Sequence, residues 1–259
     1  MDKILDSAVF EQFRFIQLYN LVTGAMEVRC DSLEDSQLEC TTESEEVLDA
    51  SGALVTVINK AKKAVFTANE TFFNFALAAK QFGGEVVRSS ATAKISTPVV
   101  DIKTSANGSI ELTQTPNAPI KYIYRLEKNQ VAETLEVADS GDTAPEAGKF
   151  ALNGKTITLP ADADGEYLVD YTYDADTALM VENQADQFPT AMLFKGQAYM
   201  RDKCTDERFL VWVIADKAKI DPAQLTLAFN SQGKHPITIN FLKDYCSTNA
   251  SLFRIIAVK

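Results

Sequence analysis

The sequence predicts a mainly β protein: a two-sheet β-sandwich or barrel with one packed α-helix, interrupted by a small β-sandwich module. Three observations carry this. Short alternating runs rich in β-branched and aromatic residues recur along the chain, the pattern of half-buried strands. Between residues 107 and 177 turn signals arrive about every eight to twelve residues, the spacing of a compact sandwich. A single convincing stretch has helical periodicity closed by a glycine pair.

The elements follow in order. Ser7–Tyr19 fits a helix through Val9, Phe13 and Ile16, and equally a strand through FRFIQLY. Ala25–Cys30 and Gln37–Thr41 alternate like two antiparallel strands, as do Ala53–Ile58 and Lys63–Thr67. The predicted helix has Thr67 or Asn69 as cap and Glu70 in its first turn, where an acid suits the macrodipole. Phe72, Phe75, Ala76, Ala79 and Phe82 recur at helical spacing, placing Phe72 and Phe75 in the core, and Gly83-Gly84 ends the run.

In the middle, Ser109–Thr115, Ile120–Leu126 and Glu133–Ala138 read as strands, followed by the loop SGDTAPEAG. Phe150–Leu152 and Lys155–Leu159 form a hairpin across Asn153-Gly154, and Glu166–Tyr173 follows the turn Asp164-Gly165. Strands then resume at Ala191–Met200, Phe209–Ala215, Gln224–Asn230, Pro236–Leu242 and Leu252–Val258. Pro236 has no N–H to donate, so it opens its strand or lies on an edge. The chain thus divides into a discontinuous domain, 1–106 with 178–259, and an inserted module, 107–177.

Charge sharpens the division. The 259 residues carry 36 acids and 25 bases, net −11. Residues 106–190 hold 15 acids and 5 bases, and residues 191–259 hold 6 acids and 10 bases. An acidic surplus excludes a general nucleic-acid binder, because phosphate neutralisation needs Lys and Arg. Opposite charge on different segments suits head-to-tail contact between identical subunits, which gives rings if it closes and filaments if it does not.

Catalytic chemistry finds little to use. The one histidine, His235, sits among turn residues and reads as an exposed loop residue. Cys30, Cys40, Cys204 and Cys246 lack metal-motif spacing and read as core packing. No G-x-x-x-x-G-K-[ST], G-x-G-x-x-G or D-x-D-x-D-G pattern occurs. Asp162, Asp164, Glu166 and Asp170 alternate as a solvent face. No enzyme, cofactor or metal is expected. No run of 18 apolar residues exists to cross a membrane, and MDKILDSAVFEQF lacks a signal-peptide pattern, so an intracellular product with reduced thiols is the expectation.

Asp31–Asp49 holds eight acids and no base. It reads either as a solvated strand edge and loop or as a surface that repels DNA or receives a basic partner. Lys60, Lys62 and Lys63 form a basic cluster just beyond it.

The order of these features resembles a known family. An N-terminal hairpin and acidic loop precede NKAKKAVFTANETFFNFALAAKQFGG, and later come KAKID and a hairpin ending in FLKDYC. This is similar to the major tail proteins of tailed bacteriophages, the tail tube subunits. The middle module, with IELTQTP and NGKTITLPADADGEYLVDYTY, resembles β-modules of phage virion proteins. The resemblance implies a virion structural protein of the tail. Six subunits would form a ring, and rings would stack into a hollow tube whose acidic lumen conducts DNA without binding its sequence. The partners it implies are further copies of itself and the tape measure, terminator and tail tip proteins, with no membrane. The long loop after the first hairpin would reach the next ring, and Glu43, Glu45, Glu46 and Asp49 fall at the matching place. The rival readings are a capsid decoration or head–tail connector protein, and a receptor-binding β-module.

Overall fold

The computed structural model describes residues 8–138, 145–161, 163–222, 226, 233–245 and 251–258. It is mainly β with one helix, as the sequence predicts, and divides into two compact units. The expected strand at 224–230, apart from Thr226, lies outside the described residues, as do Cys246 and Asp162.

The first unit comprises residues 1–86 and 181–259. Its strands are β1 (Ala8–Asn20), β2 (Met26–Cys30), β3 (Leu33–Leu48) and β4 (Leu54–Glu70), followed by α1 (Phe75–Phe82). The second unit, residues 87–180, contributes β5 (Val87–Arg88), β6 (Ile95–Thr104), β7 (Ser109–Glu111), β8 (Tyr122–Glu127) and β9 (Gln130–Val137). It continues with β10 (Lys149–Asn153), β11 (Thr156–Thr158), β12 (Glu166–Ala175) and β13 (Leu179–Met180). The first unit then resumes with β14 (Ala191–Asp202), β15 (Arg208–Ile220), β16 (His235–Phe241) and β17 (Arg254–Val258).

One sheet builds the first unit, in the order β2-β1-β14-β15-β16-β4-β3, with β17 also paired to β15. It curls so that the edge strand β3 and the part of β1 beyond the reach of β2 flank one groove, leaving a nearly closed barrel. β16 and the second half of β4 alternate strictly between buried and half-buried positions, which turns Phe66, Ile237 and Ile239 into one core. Aromatic rings run through it: Phe13 against Phe66 at 5.0 Å, Phe66 against Phe194 at 5.2 Å, and Phe194 against Phe241 at 4.9 Å. Gly196 makes room for them, since a Cβ there would sit 2.8 Å from the Phe13 ring.

Residues 8–20 resolve as strand. Bulges between Phe10 and Gln12 and between Phe13 and Phe15 break the two-residue alternation there. Those interruptions are what make the apolar positions fit helical spacing as well.

The helix begins later than the sequence predicts. Thr67, Asn69 and Glu70 remain in β4, where β16 and β3 claim their backbone groups. Asn74 caps instead, its Oδ1 accepting from the N–H groups of Ala76 and Leu77 at 3.1 Å each. The buried face is Leu77, Ala78, Ala79 and Gln81, whereas Phe72 and Phe75 are 68% and 42% exposed rather than core. Gly83 closes the helix in the left-handed region at φ 84°, with Phe188 backbone 2.6 Å from where a Cβ would stand.

In the second unit the order is β6-β12-β8-β9-β10-β11-β7 around Ile123, Leu135, Phe150, Tyr167 and Val169. It starts earlier than residue 107, because β6 pairs with β12 along its whole length from Ile95↔Ala175 to Thr104↔Glu166. The chain enters and leaves through β5 and β13, which pair with each other, Val87 opposite Met180. Buried Asp101 pins β6 inside the unit. Its carboxylate accepts from Thr113 N–H (2.7 Å), Thr113 Oγ1 (2.8 Å) and Tyr171 OH (2.9 Å). Burial alone would raise this acid's pKa, and the three hydrogen bonds outweigh it and hold the pKa below the usual range.

Candidate assembly surface

The acidic segment and the basic cluster are two strands of one structure. β3 and β4 pair antiparallel from Leu33↔Glu70 to Leu48↔Leu54, a single long hairpin rather than two short strand pairs and a loop. β16 accompanies β4 only as far as Phe241↔Ala64. Beyond that point the hairpin stands alone as an arm, and every residue from 41 to 63 is exposed. At ~3.3 Å per residue its eight-residue β3 half projects about 25 Å.

Glu43, Glu45 and Glu46 therefore lie on a strand, not in the expected loop, and only Asp49 lies in a turn. Glu43 pairs with Lys63 at 2.6 Å, which lowers the carboxyl pKa, and Glu45 pairs with Lys60. Glu46 sits opposite Val57 and has no ion pair among the described residues. Asp49 organises the tip. Its Oδ1 accepts from Ser51 Oγ (2.7 Å), Ser51 N–H (2.8 Å) and Ala53 N–H (2.9 Å), and these bonds depress its pKa. The register slips by one residue at Lys60 and again at Val55, so the arm twists and its side chains do not sort cleanly onto two faces.

What sequence reasoning missed is the apolar content of the arm. Val47, Leu48, Leu54, Val55, Val57 and Ile58 are all exposed on it. The run ALVTVI reads as a half-buried strand, yet neither of its faces is covered.

A groove of about 850 Å³ opens elsewhere in the same unit, between β1 and β3. Phe10, Phe13, Leu33, Leu38, Cys40 and Ile255 line it, and Glu34 and Asp35 stand at its side. Cys40 and Cys204 are exposed, against the expectation of core packing, while Cys30 is buried and its thiol pKa is pushed up by burial and by Glu70.

His235 is also not the exposed loop residue expected. It is fully buried at the start of β16, its ring stacked on Phe73 at 5.0 Å. Nδ1 accepts from Asn74 N–H (3.1 Å), so the neutral ring carries its proton on Nε2 and donates to Gln81 Oε1 (2.6 Å). Gln81 Nε2 in turn donates to the Pro236 carbonyl at 2.8 Å. Burial lowers the His235 pKa to about 4. Both ring nitrogens are spoken for by structure, and the histidine fastens α1 to the sheet. No group of three or more potential metal ligands exists among the described residues. No helix of the described residues is long and apolar enough to cross a membrane.

A family profile described as YomU/Tube protein family matches residues 13–255. The chain belongs to this family. The match spans most of both units and the whole arm, and agrees with the phage tail tube resemblance read from the sequence. No curated protein matches the chain. Within the tube family frame, an exposed apolar arm is a feature in need of a partner, since patches of this kind mark association surfaces.

Proposed function

We propose that this protein is a structural subunit of a phage tail tube, without enzymatic activity, that self-associates through its arm. Six copies form a ring, rings stack, and the hollow interior conducts DNA. The observation that carries the reading is the 41–63 arm, apolar and uncovered, in a chain of the tube family. A two-stranded hairpin is marginal alone in water, so an arm of this length is built to be covered. Glu43, Glu45, Glu46 and Asp49 belong to the surface that meets the next ring, with Asp49 shaping the tip. An acidic lumen suits passage, because it repels phosphate. Tape measure, terminator and tail tip proteins are the further partners, and the second unit decorates the outside.

Negative-stain electron microscopy across concentration and salt tests this. Stacked rings or hollow tubes are the expected result, and a monomer at every concentration, even with tail initiator proteins added, overturns it. Because β5 and β13 pair, the second unit can be excised at 89–178 and replaced by a two-residue turn. The trimmed chain should still assemble. Loss of assembly would remove the decorating role and bring the second unit into the contact.

A further inference from the structure

We infer that the groove between β1 and β3 is the seat for the arm of a second copy of this chain. The inference rests on the self-association reading above and specifies the contact. Chain topology makes the groove a wedge. β2 lies against β1 as far as Ile16↔Cys30, and from Leu33 onward the chain pairs with β4 instead. Among the described residues, β1 from Ala8 to Phe15 has β14 on one edge and no strand on the other. Among the described residues β3 ends the sheet, and no strand pairs with its outer edge. Two open strand edges thus diverge around an apolar floor, a combination natural sheets do not leave bare.

An inserted strand answers both needs. It offers N–H and C=O groups to an edge and alternate side chains to the floor. The arm is such a strand. Its β4 half carries Leu54, Val55, Val57 and Ile58, and past Ala64 it has lost β16, so its own outer edge is free. Length suffices: the open stretch of β1, Ala8–Phe15, is eight residues, and the β4 side of the arm, residues 54–63, is long enough to fill it. Charge agrees too. Glu34 and Asp35 share Lys234 and keep one negative charge at the wedge, while on the arm Glu45 and Glu43 hold Lys60 and Lys63 and leave Lys62, which has no ion pair among the described residues, to meet it. Seat and arm are different surfaces of one chain, so the contact is head-to-tail and propagates.

Native Cys40 on the wedge wall provides the test. One preparation keeps Cys40 and carries C204S and C246S. A second, differently tagged, carries C40S, C204S, C246S and V57C. The two are mixed and mildly oxidised. The expected result is a mixed disulfide dimer forming about tenfold faster than either same-chain dimer, as proximity dictates. I58C replaces V57C as a second probe, because the twist of the arm decides which side chain faces Cys40. Mixed dimers no faster than same-chain dimers with both probes overturn the seat. Micrographs of the same samples separate the two readings. Tubes without selective cross-linking sink the seat alone, and selective cross-linking without tubes or rings sinks the tube reading and keeps the seat. Failure of both removes both.

Discussion

The hairpin β3–β4 is one ladder with two opposite surroundings. Near Glu70 its inward residues Ala64, Phe66 and Ala68 are buried by β16 and the aromatic core. From residue 41 to residue 63 the same hairpin continues with every residue exposed. β3 and β4 pair with each other in both halves, and only the near half adds β16 on the other edge of β4 and a core beneath it. The near half packs into the core of its unit, and the far half leaves its apolar side chains exposed, the surface proposed above to meet another chain.

The largest effect that would break this comparison is a truncation in the near half. Phe66→Ala removes a fully buried ring that touches Phe13 and Phe194. It should cost ~3–5 kcal/mol of monomer stability. Val57→Ala in the far half should change monomer stability by less than ~0.5 kcal/mol and weaken assembly. Denaturant melts of both variants, with sedimentation for assembly, check the pair. Equal destabilisation would mean that the arm folds back onto its own monomer.

The near half was legible in the sequence, and so was the strand at Ala53–Ile58 in the far half, whereas Thr41–Leu48 was not. Periodicity reports burial on one face. Leu38 stands between Gln37 and Glu39, and Phe66 and Ala68 alternate with Thr67 and Asn69, because one face is packed. Thr41–Leu48 has no packed face and so shows no period, and its acids read as a loop. Sequence extent reached the second unit but not its first strand. Ile95–Thr104 carries Pro98, a residue that argues against a strand unless it lies at an edge, which is where β6 lies. His235 was misplaced because its partners, Asn74 and Gln81, are about 155 residues away or more in sequence.

Acids sharpen the same contrast. Asp101 is a carboxylate inside a packed unit, with three donors aimed at it. Asp101→Ala strands the Thr113 N–H and frees Tyr171, at a cost of roughly 2–3 kcal/mol to the second unit. Because its native pKa is depressed, the stability it contributes is present above the unfolded value and is lost as pH falls through the native one. A thermal melt should show the loss in the wild type only in strong acid, and at neutral pH in the variant. Unchanged melting of the variant would show that the pin is dispensable.

The near end of the hairpin carries the pH response. Unfolded His235 binds a proton near its ordinary 6.5, while the folded ring stays neutral down to about 4. The unfolded state therefore holds more protons in that window, and stability falls as pH drops through it, by ~2 kcal/mol at about pH 5. Glu70, directly opposite on β4, works the other way. Burial raises its pKa, so the folded state takes up its proton first and gains on acidification. Glu70→Gln should then deepen the acid loss, and His235→Gln should flatten it. Melting temperatures at about pH 7 and about pH 5 for the three chains decide. The same acid response in all three would place it elsewhere.

The smallest effect on the monomer belongs to the arm's ion pairs, and it separates the halves most finely. Glu43 and Lys63 face water, where an exposed pair is screened and contributes little. Glu43→Gln should leave the thermal melt unchanged. It releases Lys63 from its partner, however, and adds one free positive charge beside the apolar run that is to meet Glu34 and Asp35. Head-to-tail association should tighten at low salt and return to the wild-type level at high salt, as Debye screening requires. Sedimentation velocity over a salt series reads this directly. A shift in the melt without a shift in association would place Glu43 in the monomer's own stability and the arm's charge outside the contact.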